Sequence, residues 1–181
     1  MKNILISTGG SGGHVIPATI LHDHLSETSE VIISTDKRGL KYLRNDSYDI
    51  KIIDTPRLDN LFTLPINFII IFFKIIKSFF LLRKKKIDRL VSTGGYMSLP
   101  LILASKLIGI KIFLLEPNLV LGRANKFFLN SCEKIFCYTD KIKKFPDRFK
   151  KKIAIIKPLV RKEFYDGKAI DKQFQKFTIL V

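Results

Sequence analysis

The sequence predicts an α/β fold in which a mostly parallel sheet of about seven strands carries helices on both faces. Short apolar runs rich in β-branched residues recur along the chain, and helix-length segments separate them. Runs such as Ile4 to Ile6 are apolar throughout, which is typical of strands buried on both faces of a parallel sheet. Because parallel neighbours need long crossover connections, the intervening helices are expected to cover both sides of the sheet.

Strands and helices alternate along the chain in this prediction. The strands are expected at residues 3–7, 31–35, 50–54, 89–92, 111–115, 134–138 and 153–156. The helices are expected at residues 14–26, 40–45, 65–85, 98–108, 123–130 and 140–145. Ligands of such sheets bind at the carboxyl ends of the strands, so the loops that follow the strands are the places to look for function.

The length of 181 residues corresponds to one full domain and a remainder. Hydrophobic residues make up 46% of the chain and charged residues 27%, which excludes a wholly disordered protein. After residue 158 the sequence becomes polar and weakly periodic, and an apolar run returns at residues 177–181. We therefore predict a first domain at residues 1–158, and a linker plus the first strand of a second domain at residues 159–181.

The two cysteines and the N-terminus bear on the cellular compartment. Cys132 and Cys137 are too few for a disulfide framework or a zinc site, and their apolar neighbours predict packing roles in a reducing compartment. The apolar run at residues 4–6 is too short for a signal peptide, so export is not expected.

A net charge of +16 indicates a polyanionic partner, for which nucleic acid, an anionic membrane and a phosphorylated substrate are candidates. No nucleic-acid-binding module is recognisable in the sequence. The aromatic residues cluster in one apolar segment instead of alternating with basic residues, so nucleic acid is not expected as a partner.

A first glycine-rich loop, residues 8–13, lies between the first predicted strand and the first predicted helix. Glycines allow the backbone to approach a ligand closely, and the N–H groups of a helix start favour an anion. A simple tight turn is the alternative interpretation. His14 stands at the start of the helix, where a neutral imidazole can act as a general base. The candidate anion-binding residues of this loop are Gly9, Gly10, Ser11, Gly12 and Gly13.

A second glycine-rich loop, residues 93–97, repeats this arrangement with Gly94, Gly95 and Tyr96. Two amide-lined loops on one edge of the sheet suit an extended anion such as a diphosphate. The next loop contains Glu116 and Asn118, whose side chains can hydrogen-bond a ligand or, equally, cap a helix or stabilise a turn. Together the three loops predict one polar cleft.

These motifs, in this order, resemble the MurG family of bacterial glycosyltransferases. The resemblance spans almost the whole chain and depends on residues 9–14, Pro17, Ala18, Gly94, Gly95, Tyr96, Pro100, Glu116, Asn118, Gly122 and Asn125. Further matches lie at residues 37–40 and 158–161. The chain departs from the family pattern at Leu115 and Pro117, where the family has histidine and glutamine, and at Leu99 and Leu121.

The resemblance implies a fold of the GT-B type, with two Rossmann-like domains facing a cleft, of which this chain is the amino-terminal, acceptor-binding half. The implied reaction is the inverting transfer of N-acetylglucosamine from UDP-N-acetylglucosamine to the 4-hydroxyl of undecaprenyl-pyrophosphoryl-N-acetylmuramyl-pentapeptide, lipid I, giving lipid II for peptidoglycan. No cofactor and no metal are expected. His14 is then the catalytic base or an acceptor-positioning residue, and both glycine-rich loops cradle the acceptor diphosphate. The implied residues of the acceptor cleft are Glu116, Asn118, Asn125 and Arg161.

Residues 65–86 form an apolar segment with a basic end. In a helix, Asn67, Lys74, Ser78 and Lys85 fall in one narrow stripe and most of the remaining surface is apolar, so the helix has more apolar surface than one sheet face can cover. The surplus predicts insertion into the interface of an anionic membrane. The residues expected to contact the membrane are Phe72, Phe73, Phe79, Phe80, Arg83, Lys84, Lys85 and Lys86.

Two other interpretations of this segment are a transmembrane helix and an ordinary core helix with a solvated basic end. Lys74 and Lys77 near the middle make spanning costly, at about 3 kcal/mol each. The family resemblance favours the interfacial interpretation and a peripheral location at the cytoplasmic face of the bacterial membrane.

Two other functions remain open at this stage. The chain could belong to a GT-B transferase that acts on another lipid, or it could be a membrane-recruiting module that works with a separate donor-binding chain.

Overall fold

A seven-stranded sheet with all strands parallel forms the centre of the computed structural model, which describes residues 1–43, 48–56 and 61–162. The strand order is β3-β2-β1-β4-β5-β6-β7. The strands are β1 (Lys2–Ser7), β2 (Ser29–Thr35), β3 (Ile50–Ile52), β4 (Arg89–Ser92), β5 (Lys111–Glu116), β6 (Lys134–Cys137) and β7 (Ile153–Ile155). The predicted fold class is confirmed, and every predicted strand is present with ends that differ by two residues at most.

In the described part of the chain, five α-helices and three short 3₁₀ helices connect the strands. The α-helices are α1 (Gly12–Leu25), α2 (Lys37–Leu40), α3 (Leu64–Lys84), α4 (Leu99–Ile108) and α5 (Arg123–Phe128). The 3₁₀ helices are Leu61–Thr63, Tyr96–Ser98 and Asp147–Lys152.

The two faces of the sheet carry separate apolar clusters because successive side chains of a strand point to opposite sides. Ile4 and Ile6 of β1 pack with Ala18 of α1 on one face. Leu5 packs on the other face, in a larger cluster that includes Leu82 of α3 and Leu101 of α4. The sheet is therefore covered by helices on both sides, as the apolar strand sequences predict.

The strand order reverses direction between β1 and β4, which lie side by side although α1, β2, β3 and α3 separate them in the sequence. A crevice opens at the carboxyl ends of the strands where the order of a parallel sheet reverses, and ligands bind there. The first glycine-rich loop follows β1 and the second follows β4. The topology therefore brings the two loops to the same point of the sheet.

Two predicted helices are wrong. The helix predicted at residues 40–45 lies earlier, at Lys37–Leu40, because Asp36 caps it by accepting a hydrogen bond from the Gly39 N–H at 2.9 Å. Part of the predicted range lies outside the described residues. No helix forms at residues 140–145, where Lys143 instead pairs with Val120 in an isolated bridge. Residue 146 is a proline, which disfavours helix at the preceding residue.

The start of the predicted linker packs against the sheet domain. The Leu159 N–H donates to the Tyr138 hydroxyl at 3.1 Å, and a ring nitrogen of His24 lies 3.0 Å from the Val160 carbonyl oxygen. Lys162 pairs with Glu27 at 2.5 Å. The strand predicted at residues 177–181 lies outside the described residues, and the domain boundary at residue 158 stays a prediction.

Candidate functional site

A cleft of about 530 Å³ opens at the carboxyl ends of β4 and β5. Side chains from three loops and from the helices that follow them meet in its wall. The predicted site residues in the wall are His14, Gly94, Gly95, Tyr96, Glu116, Asn118 and Asn125. The other lining residues are Thr55, Pro56, Ile71, Leu99, Gly122, Arg123, Ala124, Phe127 and Phe128.

Part of the predicted site lies outside this wall. Residues 9–13 of the first loop are not among the lining residues, although His14, which follows them, is. Arg161 is exposed and also does not line the cleft. The first glycine-rich loop therefore borders the cleft through His14.

The His14 ring is held by the second glycine-rich loop. Its Nδ1 lies 2.9 Å from the carbonyl oxygen of Thr93. A carbonyl oxygen only accepts hydrogen bonds, so Nδ1 carries the proton, and in the neutral ring the lone pair is on Nε2. The Thr93 hydroxyl lies 3.0 Å from the His14 carbonyl oxygen and 2.8 Å from the Thr8 hydroxyl, which connects the two loops. The contact with Thr93 thus selects the tautomer of the neutral His14 ring that has its lone pair on Nε2.

Gly94 leaves room for this ring. Its backbone φ of +107° is a value that residues other than glycine rarely adopt. A Cβ atom at this position would lie 2.8 Å from His14 Cε1 and 2.9 Å from Nδ1. The second loop therefore requires glycine at this position, because the histidine stacks directly on the backbone.

Glu116 organises the third loop from a buried position, with 2% of its surface exposed. Oε1 accepts hydrogen bonds from the backbone N–H and the side-chain amide of Asn118, at 3.3 and 2.9 Å. Oε2 accepts from the Gly122 N–H at 2.8 Å and from the Asn125 amide at 3.0 Å. Both carboxylate oxygens are thus engaged within the loop, which agrees with the turn-stabilising interpretation of Glu116. Asn118 is exposed and lines the cleft, so it is better placed to contact a ligand.

The backbone N–H groups of the first loop are only partly available. The Gly10 N–H donates to Asp36 Oδ1 at 2.9 Å. Gly12 and Gly13 form the first turn of α1, where N–H groups have no acceptor within the helix. Burial opposes ionisation of Asp36, but hydrogen bonds from Gly10, Arg38 and Gly39 outweigh it and lower the pKa of the carboxyl. The amides of Gly12 and Gly13 are therefore among those of the loop that can bind an anion.

The sequence model of the glycosyltransferase family 28 N-terminal domain matches residues 4–137, which is more than half of the chain. This match begins within β1, ends at the last residue of β6 and includes every loop of the cleft. The chain belongs to the glycosyltransferase family 28 N-terminal domain family.

Two curated relatives of this family 28 domain share one description. The UDP-N-acetylglucosamine–N-acetylmuramyl-(pentapeptide) pyrophosphoryl-undecaprenol N-acetylglucosamine transferase of Pelagibacter ubique is 52% identical over 181 residues, 99% of this chain and 51% of that protein. The transferase of the same name from Rickettsia felis is 34% identical over 163 residues, 89% of this chain and 44% of that protein. The chain spans about half the length of the curated relatives it matches.

Solved structures agree with the family 28 fold. Acinetobacter baumannii MurG superposes with a TM-score of 0.73 at 22% identity, covering 95% of this chain and 50% of that one. The UDP-GlcNAc 2-epimerase of Methanocaldococcus jannaschii reaches a TM-score of 0.59 at 16% identity, covering 86% and 45%. Together with the sequence relatives, these findings confirm the resemblance to the MurG family predicted from the loop motifs.

Helix α3 of this family 28 domain has polar side chains on the face toward the protein and mainly apolar side chains on its exposed face, the opposite of an ordinary surface helix. Its buried residues are Ile71, Ser78 and Leu82, and half-buried Asn67 and Lys74 lie on the same stripe. The polar stripe predicted from the sequence therefore faces the protein. The exposed outer face is almost entirely apolar and includes Ile66, Phe68, Ile69, Phe72, Phe73, Ile76 and Phe80.

The predicted membrane residues differ in their exposure. Phe79 is half-buried and packs against the core, with the Arg83 guanidinium 5.2 Å from its ring centre. Lys85 pairs with Asp49 at 3.0 Å, whereas Lys84 and Lys86 are exposed. By length and composition α3 would also be able to cross a membrane.

The two cysteines are buried, and both are free thiols. Burial and the nearby Glu116 raise the pKa of the Cys137 thiol to about 12. Both features fit the predicted packing role. Within the described ranges, no three His, Cys, Asp or Glu side chains lie together in a way that would hold a metal ion.

Sequence reasoning missed several residues of the cleft. Phe127 and Phe128 of α5 line it, as does Ile71 on the inner face of α3. An aromatic pair in a short helix after the third loop was the available signal for α5. Nothing in the sequence of α3 indicated which of its apolar residues turns inward.

Proposed function

We propose that this domain binds the lipid-linked acceptor of an N-acetylglucosamine transferase, undecaprenyl-pyrophosphoryl-N-acetylmuramyl-pentapeptide. With a donor domain that holds UDP-N-acetylglucosamine, it would produce lipid II. The observation that carries the proposal is the meeting of both glycine-rich loops at the strand-order reversal, with His14 held between them. The names of the curated relatives describe this reaction for those proteins.

His14 is the proposed general base. Nε2 takes the proton from the 4-hydroxyl of the acceptor sugar as that oxygen attacks the anomeric carbon of N-acetylglucosamine. The bond from this carbon to UDP breaks, its electron pair leaves with UDP, and the configuration inverts. The carbonyl oxygen of Thr93, 2.9 Å from Nδ1, stabilises the imidazolium that forms.

The acceptor diphosphate is assigned to the two glycine-rich loops. The open N–H groups of Gly12 and Gly13, at the positive end of the α1 dipole, provide donors on one side. Gly95, which lines the cleft, provides backbone on the other side. Asn118 and Asn125 are proposed to contact the acceptor sugar.

The apolar chain of the acceptor and the membrane are assigned to α3. Ile71 lines the cleft from the inner face of α3, while Phe72 and Phe73, the next residues, are exposed on its outer face. Transfer of one exposed phenylalanine side chain into an apolar environment contributes about 1.5–3 kcal/mol. The exposed Lys77, Arg83, Lys84 and Lys86 would attract anionic headgroups.

Peripheral attachment at the cytoplasmic face is the form of membrane binding that we propose. Leu82 and Ile71 of α3 are 1% and 4% exposed, and Leu82 belongs to the main apolar cluster. A helix that crossed the bilayer would have to remove these side chains from the core. Interfacial insertion of the outer face leaves the packing intact.

The direct test is a chimera in which this chain is joined after Val181 to the part of the Pelagibacter ubique relative that lies beyond the matched region. We expect it to transfer N-acetylglucosamine from UDP-N-acetylglucosamine to lipid I. Transfer to diacylglycerol instead would assign the domain to another lipid acceptor. If the chimera folds and binds anionic vesicles but transfers nothing, the domain is a recruiting module and the proposal fails.

A further inference from the structure

Asp36 and Arg38 lie between the two glycine-rich loops and contact both. Asp36 follows β2 and is the N-cap of α2. Its Oδ1 accepts a hydrogen bond from the Gly39 N–H at 2.9 Å, which is the usual capping contact. The same oxygen accepts from the Gly10 N–H at 2.9 Å, and Gly10 belongs to the first loop. Asp36 therefore does more than cap its own helix.

Arg38 extends the contact to the second loop. Its Nε and Nη2 donate to Asp36 Oδ2 at 3.0 and 2.8 Å. Nη2 also donates to the Tyr96 hydroxyl at 2.6 Å, and the guanidinium carbon lies 5.6 Å from the Tyr96 ring centre. A continuous series of hydrogen bonds thus runs from the Gly10 backbone through Asp36 and Arg38 to Tyr96.

The backbone around Asp36 is shaped to permit these contacts. A Cβ atom on Gly39 would clash with Thr35 Oγ1 and would lie 3.0 Å from the Gly9 Cα. Glycine at this position therefore allows the first loop to approach α2 closely enough for Gly10 to reach Asp36. This close approach explains why the motif at residues 37–40 contains a glycine. The motif takes no part in the proposed reaction itself.

The charges of Asp36 and Arg38 favour a fixed connection between the two loops, which we call the Asp36–Arg38 bridge. Asp36 is 1% exposed, and a buried carboxylate without a partner is strongly destabilising. Arg38 is partly exposed and supplies a planar set of donors that can bond two acceptors in different directions at once. The ammonium group of a lysine is a point charge without this planar arrangement of donors.

We propose that Asp36 and Arg38 are positioning residues that set the separation of the two glycine-rich loops. Asp36 fixes Gly10 of the first loop, and Arg38 fixes Tyr96 of the second. The purpose of the bridge rests on the proposed function, because a diphosphate that spans both loops needs a constant separation between them. The bridge itself belongs to the ligand-free chain and is tested without ligand.

The first experiment records ¹⁵N-glycine amide spectra of the whole 181-residue chain, which has only ten glycines. Tyr96→Phe removes a single oxygen and leaves the Asp36 pair intact, so it is the variant least able to unfold the protein. We expect it to shift the Gly10 signal in the other loop. Arg38→Lys and Arg38→Met should shift Gly94. Lys37→Met, which removes an equal charge from the exposed neighbour, should shift neither. If Tyr96→Phe leaves Gly10 unmoved, the bridge does not exist and the inference is overturned.

The second experiment titrates the same samples with inorganic pyrophosphate. In the unmodified chain, the amides of Gly12, Gly13 and Gly95 should shift along one binding curve. Tyr96→Phe and Arg38→Lys should each weaken binding about tenfold, the equivalent of one lost hydrogen bond to a charged group. If Tyr96→Phe and Arg38→Lys bind pyrophosphate as tightly as Lys37→Met does, the positioning role is contradicted. The positive charge of the chain would then be sufficient for binding, without the contacts between Asp36, Arg38 and Tyr96.

The two experiments separate failure of this inference from failure of the proposed function. If the unmodified chain does not bind pyrophosphate, the proposed diphosphate site is wrong. The ligand-free spectra still decide whether Arg38 connects the two loops.

Discussion

The cleft and the outer face of α3 are built in opposite ways. In the cleft, polar atoms are fixed by other polar atoms, as His14 is by Thr93 and Glu116 is by Gly122. On α3, side chains such as Phe72 and Phe80 are about 60% or more exposed and apolar. A function that depends on single fixed atoms should be lost with one substitution, whereas one that depends on summed apolar area should decline in steps. Single substitutions in the two regions should therefore differ in the size of their effects.

The largest effect is expected for the base. His14→Ala in the chimera should lower kcat about 100-fold or more, because no other group then accepts the proton from the acceptor hydroxyl. His22→Ala, on the same helix, is the matched control and should leave kcat within about twofold. Transfer assays with saturating lipid I would measure both. A kcat for His14→Ala close to that of the control would remove His14 from the mechanism.

The two faces of α3 should differ in their contribution to folding. Leu82→Ala removes a side chain that is 1% exposed and should lower the free energy of unfolding by about 2–5 kcal/mol. Phe80→Ala, two residues earlier and 65% exposed, should change it by less than about 0.5 kcal/mol. Urea denaturation of the 181-residue chain measures both variants. Equal losses would mean that the outer face of α3 packs against protein.

Membrane binding should depend on the outer face in a graded way. Phe72→Ser should weaken binding of the chain to vesicles rich in phosphatidylglycerol about tenfold, because one phenylalanine leaves the interface. Ile155→Ser is the control, since this side chain is also exposed and apolar but belongs to β7. Co-sedimentation measures both. If the two variants bind alike, the vesicles do not contact α3.

The smallest effect is expected at Ser78, on the inner face of α3. Its hydroxyl is buried and has no hydrogen-bond partner among the described residues. Ser78→Ala should therefore raise the free energy of unfolding by about 1 kcal/mol, since an unsatisfied polar group leaves the core. Thermal melting measured beside the unmodified chain provides the test, and a lower melting temperature would show that the hydroxyl has a partner.

The fold and the meeting of the loops could be predicted from the sequence for a physical reason. In a parallel sheet, every strand begins at one edge and ends at the other, so loops that follow strands share an edge. Gly94 and His14 are distant in the sequence, yet strand assignment alone places both at that edge. The third loop, with Glu116, is placed by the same rule.

The remaining features depend on tertiary packing, which local patterns do not specify. The narrow polar stripe of α3 would fit a solvated face, but the structure turns it inward with Ser78. The roles of Asp36 and Arg38 depend on contacts with Gly10 and Tyr96, which lie 26 and 58 residues away along the chain. Asp36 caps α2 in the structure, and no local sequence pattern indicates that the same side chain also binds the first glycine-rich loop.

Both glycine-rich loops are proposed to bind one diphosphate with an apolar tail. A crystal structure of the 181-residue chain with farnesyl diphosphate tests it most directly. We expect the diphosphate at the N–H groups of Gly12, Gly13 and Gly95, with the tail passing Ile71 toward the outer face of α3. A diphosphate found at any other part of the chain, or one that contacts a single loop and leaves Ile71 uncovered, would contradict it.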